Sequence, residues 1–250
     1  MNESGRNSVF TGGEVAKSPS GHFVKYDVDS LQRYYHVFVP TEPVYISEKI
    51  HGANSRFCYR DGQMYCGSRG EWKKEFPTYD HIKLEDLIEK LGEERGNEIY
   101  NKIKNKPITK NMWWQIADKY PQIIDFCKNN QDCVLYGEAY GQVQNLKYGT
   151  KPGEVRFAAF DILKGFDWIN ANESRTILEA HNIPQVPLID NNYMFDLEKL
   201  IALAEGQSLI PGANHIREGI VVKPVTERRH ADVGRVCLKI VSSKFLEKDY

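Results

Sequence analysis

The apolar positions of this chain fall into short runs near its two ends and into helical spacings in its middle. Between residues 22 and 69 the runs are brief and rich in β-branched and aromatic residues. They are Val37-Phe38-Val39, Val44-Tyr45-Ile46, and two arms over 54–60 and 63–68 around Asp61-Gly62. Such runs bounded by turn residues predict strands, and an Asp-Gly pair between two of them predicts a two-residue hairpin. That hairpin sets Cys58 opposite Tyr65 and Phe57 opposite Cys66, and the same register continued brings Arg69 back beside Asn54.

Leu84, Leu87, Ile88 and Leu91 recur at spacings of three and four, which predicts helix over 83–105 with a break between Gly92 and Gly96. A second helical stretch over 111–129 offers Trp113, Trp114, Ile116, Ile123, Ile124 and Phe126 for burial. Strands return over 133–136 and 155–162, followed by helices over 173–181 and 197–205. Asp196 caps the second of these, Gly206 stops it, and Pro184 lies just beyond the first. The last portion, 219–222 and 236–241, is again strand-like. Strand runs interrupted by helices in this order predict an α+β fold with largely antiparallel sheets.

At 250 residues the chain can bury a substantial core as one large domain or two small ones. It has no apolar run long enough to cross a membrane, and its polar start from Met1 to Arg6 is not a secretory signal, so the expectation is an intracellular protein without a membrane partner. Its five cysteines, Cys58, Cys66, Cys127, Cys133 and Cys237, form no C-x-x-C pair. In the hairpin register Cys58 and Cys66 point to opposite faces, so the reading is reduced strand thiols in a reducing compartment. A net charge of −1 argues against a wholly basic nucleic-acid surface, and any such contact must be a local patch. Lys102, Lys104, Lys106 and Lys110 form one cluster, most simply a solvated helix end. The run Glu227-Arg228-Arg229-His230 is another, which reads equally as a phosphate-binding loop or a solvated one.

The chemistry concentrates in motifs. Ser47-Glu48-Lys49-Ile50-His51-Gly52-Ala53-Asn54 places one lysine in a Gly-containing turn between two strand-like segments. A lysine so held serves as a nucleophile once nearby cations or a metal favour its neutral form; a solvated turn lysine fits the same pattern. Further along come Gly67-Ser68-Arg69, the run from Leu135 to Gly141 around Glu138, the run from Arg156 to Ile162 around Phe160, and Arg217-Glu218-Gly219-Ile220-Val221-Val222-Lys223-Pro224. Leu238-Lys239-Ile240 and Ser243-Lys244-Phe245 close the set.

This ordered set resembles the covalent nucleotidyltransferases, the superfamily of polynucleotide ligases and mRNA capping enzymes. Its Glu-Lys-Ile-His-Gly opening resembles the RNA ligases that seal nicks in duplex RNA, since DNA ligases and capping enzymes usually carry Asp where His51 stands. The resemblance implies a single nucleotidyltransferase domain over 1–250, two sheets flanking a nucleotide cleft, and no separate C-terminal nucleic-acid-binding domain. It also implies an ATP-dependent RNA ligase with Mg²⁺ or Mn²⁺ as cofactor and RNA ends, in nicked duplex RNA, as partner. Guanylyl transfer to RNA ends and an inactive nucleic-acid-binding relative are the alternatives.

By the same resemblance Lys49 attacks the α-phosphate of ATP, with Glu48, Ile50, Asn54 and Arg69 around the bound nucleotide. Lys239 contacts the α-phosphate, and Lys223 is a phosphate ligand. Glu218 is associated with the divalent metal, often through water. Glu138 binds the nucleotide sugar, and Phe160 stacks on the purine with Val221 on the opposite face. His51 and Asn54 support the lysine loop. Strand alternation alone places Lys223, Val221 and Gly219 on one face and Val222 and Ile220 on the other.

Two features depart from the pattern. The family commonly shows Lys-x-Lys in its final motif, but here the second position is Val241, which leaves Lys244, Arg235 or Arg229 as replacements or one chemical step impaired. The chain also stops soon after Lys239, which fits a compact ligase, a catalytic domain cut from a longer chain, or an enzyme that depends on an accessory protein.

Overall fold

The structure, a computed structural model, describes residues 12–80, 82–105 and 107–248. The polar start of the chain and Lys106 therefore lie outside the described residues.

The strand-rich first part gives β1 (Asp29–Ser30), β2 (Pro43–Lys49), β3 (Ala53–Arg60), β4 (Gln63–Gly67) and β5 (Trp72–Lys73). The β3–β4 hairpin has the register expected from its Asp-Gly turn, with Phe57 opposite Cys66 and Cys58 opposite Tyr65. Val37 to Val39 do not form a strand. Tyr35–Val37 is a single 3-10 turn, and Val37 and Phe38 are buried together against the core instead of alternating across a ladder. Pro40 has no N–H to offer a ladder, and the Val39 amide is taken by the Glu42 carboxylate.

The helical middle comprises α1 (Leu84–Leu91), α2 (Glu93–Lys104), α3 (Met112–Lys119) and α4 (Pro121–Asn129). Gly92, at a φ of 83°, makes the first break. The stretch over 111–129 is two helices, because Pro121 holds Tyr120 out of helical geometry and then opens α4. The lysines here are largely paired or stacked. Lys102 bridges Glu98, Lys110 bridges Glu75 and Asp118, and Lys104 lies over the Tyr100 ring.

The remainder supplies β6 (Cys133–Gly141), β7 (Val155–Lys164), β8 (Asp167–Trp168), α5 (Ala171–Ala180), β9 (Leu188–Met194) and α6 (Leu197–Ala204). It ends in β10 (Gly219–Pro224), β11 (Arg229–His230), β12 (Gly234–Arg235), β13 (Leu238–Val241) and α7 (Ser243–Leu246). The Asp196 carboxylate accepts from the Lys199 amide and caps α6 as expected. The edge strand β9, with exposed Asn191 and Asn192 in its middle, lacks the apolar alternation that would have announced it.

The strands form two main sheets. One is antiparallel in the order β5-β4-β3-β6-β7-β8; the other runs β1-β13-β10-β2-β9, antiparallel except where β1 meets β13. Helices α3, α4 and α5 cover the outer face of the first sheet over Phe57, Leu135, Phe157 and Ile162. Helix α6 covers the outer face of the second over Val44, Ile46, Ile220, Val222, Leu238 and Ile240. The α+β architecture with two largely antiparallel sheets is the one expected. The five cysteines are free and buried, and burial pushes the thiols of Cys58 and Cys133 up to about 12, so they stay protonated and inert.

Candidate active site

Between the inner faces of the two sheets lies a cleft of about 210 Å³, open to solvent on one side. Strand alternation aims side chains into it from β2, β10 and β13. On β10, Val221 and Lys223 line the cleft while Ile220 and Val222 point into the α6 core. On β13, Lys239 faces the cleft and Leu238 and Ile240 face the core. Lys49, at the end of β2, pairs with Gly219 of β10, which in turn pairs with Val241 of β13. A Cβ on Gly219 would sit 2.0 Å from the Ile240 carbonyl oxygen, so glycine is what lets β10 and β13 approach beside the lysine.

On the opposite wall Asn54 of β3 and Glu138 of β6 are register partners, and both line the cleft. The ladder between β3 and β4 ends at Arg56 and Gly67, so Arg69 leaves the sheet before it reaches Asn54. It nevertheless returns to the same cleft wall. Phe160 owes its position to a bulge. Tyr136 pairs with Asp161 and Gly137 with Ala159, which makes Phe160 the extra residue of β7. The bulge turns both Phe160 and Asp161 toward the space between the sheets, while Ala159 and Ile162 stay on the helix side.

Lys49, Arg69, Lys223 and Lys239 all line this one cleft. Lys49 Nζ donates to Glu218 Oε1 at 2.6 Å. His51 Nδ1 lies 3.3 Å from Glu218 Oε2, yet that oxygen is buried without a well-angled hydrogen bond. Burial alone would raise the Glu218 carboxyl, but His51 and Lys49 outweigh it and hold the group below the usual carboxylate range. Arg69 bridges Asp27. Lys223 is 1% exposed and donates to Asp161 Oδ1 at 2.7 Å and to the Phe160 carbonyl. Lys239 has no ion-pair partner among the described residues, which leaves its charge available to an anion.

Two carboxylates in the cleft region take opposite directions. Burial pushes Glu138 up to about 8, only partly offset by Lys49 and the Gly52 amide. Asp161, fully buried, is held down to about 2, because Arg235 and Lys223 outweigh its desolvation. Glu48 lines the cleft, but its carboxylate is occupied by the Ser208 hydroxyl and the Leu209 amide at 2.6 Å each.

Of the residues anticipated from sequence, Lys49, Glu48, Ile50, Asn54, Arg69, Glu138, Phe160, Val221, Lys223 and Lys239 line the cleft, Glu218 sits directly against Lys49, and His51 lies on the other oxygen of Glu218. Arg235 does not substitute for the missing lysine at Val241. Its guanidinium is locked in a bidentate contact with Asp161, bridges Glu227 and stacks over Trp168. Lys244 is exposed on α7, and Arg229 is exposed on β11.

Sequence reasoning missed one wall of the cleft entirely. Residues 22–30 cross from one sheet to the other. Tyr136 donates its hydroxyl to the Val24 carbonyl, and β1 pairs with β13 at Lys239. Tyr26, Asp27 and Val28 of this segment line the cleft, and Tyr26 packs on Phe160 and donates to Asp161. No periodicity marks such a strap. Asp161, by contrast, sat inside a recognised motif, and its neighbour Phe160 drew the attention.

Residues 42–241 match a family model described as RNA ligase. No curated protein matches the chain. Among solved structures, Naegleria gruberi RNA ligase with pyrophosphate aligns at a TM-score of 0.66 and 20% identity, covering 97% of this chain and 62% of that one. A mutant of the same ligase with AMP and Mn aligns at 0.67 and 18% identity, covering 96% and 62%. An apo mutant aligns at 0.65 and 20%, covering 95% and 60%. At these identities the likeness concerns the fold, and the chain spans about three-fifths of the length of the ligases it matches.

Proposed function

Because the chain belongs to the RNA ligase family, we propose that it is an ATP-dependent RNA ligase acting through a covalent AMP adduct on Lys49. The observation that carries this reading is the convergence of Lys49, Arg69, Lys223 and Lys239 on one cleft that also holds Phe160 and Val221. Several cations facing one side chain amine suit the charge that gathers on a transferring phosphoryl group. An aromatic ring and an aliphatic side chain suit the two faces of a purine.

In the first step the neutral Lys49 amine, its proton lost to solvent, attacks the α-phosphorus of ATP. A P–N bond forms, the nitrogen gives up a further proton to solvent, the α–β P–O bond breaks, and pyrophosphate leaves with the electron pair. The AMP then passes to an oxygen of an RNA 5′-phosphate, which breaks the P–N bond and returns the electron pair to the Lys49 nitrogen, which takes a proton from solvent. A 3′-hydroxyl finally attacks that 5′-phosphorus, loses its proton, expels AMP and makes the phosphodiester. Lys239, without a competing carboxylate, is suited to the α-phosphate. Lys223 is oriented by Asp161, and Glu138, protonated at neutral pH, is suited to donate to a sugar hydroxyl oxygen.

The residues present fit a hard divalent cation. Glu218 Oε2 is buried without a hydrogen bond, and the described residues hold no cluster of three or more His, Cys, Asp or Glu that would cage a metal by itself. Mg²⁺ and Mn²⁺ fit a site of that kind, where one carboxylate is completed by phosphate oxygens and water. Bound there, such a cation would neutralise phosphate charge and disfavour the ammonium form of Lys49.

The Glu-Lys-Ile-His-Gly opening supports nicks in duplex RNA as the substrate, with a local patch, rather than a basic surface, making the RNA contact. Intact mass after incubation with ATP and Mn²⁺, beside GTP and beside Lys49→Ala, tests the reading. A gain of one AMP that requires Lys49 is expected. A GMP adduct would move the assignment to capping chemistry, and no adduct from a folded sample would leave a nucleic-acid-binding relative.

A further inference from the structure

The turn that carries Lys49 is held from both flanks by two loops that touch each other. On one flank, the loop between α6 and β10 grips Glu48 through the Ser208 hydroxyl and the Leu209 amide. On the other, the loop between β6 and β7 reaches His51, whose backbone amide donates to the Tyr148 hydroxyl at 2.7 Å. The two loops meet backbone to backbone, since a Cβ on Gly149 would lie 2.3 Å from the Gly212 carbonyl oxygen.

Tyr148 stands out within this assembly. It is completely buried, its ring meets His215 edge-on at 4.6 Å, and it adopts a left-handed φ of 51°. A bulky residue in that region is a genuine outlier, held there only when its surroundings over-determine it. Here the Gly149–Gly212 contact and the aromatic packing impose the conformation, and its result is a hydroxyl aimed at the amide two residues beyond the nucleophile. The His51 amide has no strand partner, because the ladder to β10 ends at Lys49 and β3 begins at Ala53. Burial raises the phenol far above its ordinary range, so the hydroxyl stays neutral and can keep accepting from the amide.

We propose that Tyr148 is a positioning residue for the nucleophile: with the 206–216 loop it forms a brace that fixes the Lys49 turn for in-line attack on the α-phosphorus. This rests on the functional reading above. The brace acts on the step in which Lys49 forms a bond. It has little part in sealing an RNA end that already carries AMP, because Lys49 is not the nucleophile there.

Tyr148→Phe keeps the ring and removes only the hydroxyl. Single-turnover adduct formation from ATP should slow about 10- to 100-fold at saturating ATP, since a misplacement on the order of 1 Å costs roughly that much, with the half-saturating ATP concentration little changed. Sealing of chemically pre-adenylated nicked RNA by the same variant should stay within about threefold of the parent protein, a split that simple loss of packing would not produce. Adduct formation at the parent rate, or equal losses in both steps, overturns the proposal. Should Tyr148→Phe not fold, Ser208→Ala at the other flank of the brace carries the same expectation and the same refutation. A parent protein that forms no adduct through Lys49 sinks the functional reading, and this inference with it; a parent that does, matched by Tyr148→Phe, sinks the inference alone.

Discussion

Lys49 and Glu218 are 169 positions apart in the chain, and the Lys49 amine donates to the Glu218 carboxylate at 2.6 Å. Neighbouring strands create the meeting, since β2 ends at Lys49 opposite Gly219, one residue after Glu218. Under the proposed function, a cation bound at Glu218 would have to displace this Lys49 contact.

Glu218→Gln removes the charge and keeps the shape. Adduct formation on Lys49 is expected to fall by about 10²-fold or more, the scale of losing one electrostatic contributor in a phosphoryl-transfer site. Rates measured across a Mn²⁺ titration check this, and an undiminished rate at every metal concentration would remove Glu218 from the metal role.

Glu138 makes stability depend on pH in a defined direction. Its folded carboxyl titrates at about 8, against an ordinary value of 4.5. Between these values the unfolded chain has released the proton and the folded one retains it, so the slope of unfolding free energy with pH is negative. The contribution is full below about 4.5 and is lost as pH rises through about 8. Glu138→Gln, which does not titrate, should therefore gain stability relative to the parent from pH 5 to pH 9 in urea unfolding; parallel curves would contradict the assignment.

Asp161 carries the opposite sign. Held at about 2 by Arg235 and Lys223, it contributes stability above its unfolded value of 3.8, and this is lost as pH falls toward 2. Asp161→Asn leaves two cations facing a neutral group in the interior, which costs about 3–5 kcal/mol where a buried pair is broken. Denaturant midpoints at pH 7 should show that loss, and the difference between the proteins should shrink as pH falls from 4 to 2.

Lys239→Ala should separate binding from folding. The side chain has no ion-pair partner among the described residues, so its removal should change stability by no more than about 0.5 kcal/mol. Adduct yield from ATP should nevertheless fall by about 10²-fold. Mass spectrometry and thermal unfolding on the same sample decide it, and a normal yield would transfer the α-phosphate contact to another cation.

Much of this site could be read from spacing because it is carried by short-range rules. An Asp-Gly turn set the Phe57–Cys66 register, and strict alternation put Val221 and Lys223 on one face of β10 with Ile220 and Val222 on the other. The resemblance carried by motif order implied that Lys49, Glu138, Lys223 and Lys239 meet in one cleft, and the inward faces of their strands bring them there.

Other features depend on groups distant in sequence, and local periodicity carries no trace of them. The bulge that turns Phe160 and Asp161 to the same side arises from pairing between β6 and β7. The strap that brings Tyr26 and Asp27 to the cleft wall is ordered by Tyr136 and β13, and the diversion of Arg235 from the cleft to Asp161 is decided by which buried charge needs neutralising. Local propensity determined most of the strands and the faces they present; packing and charge compensation between the sheets decided which side chains remain available for chemistry.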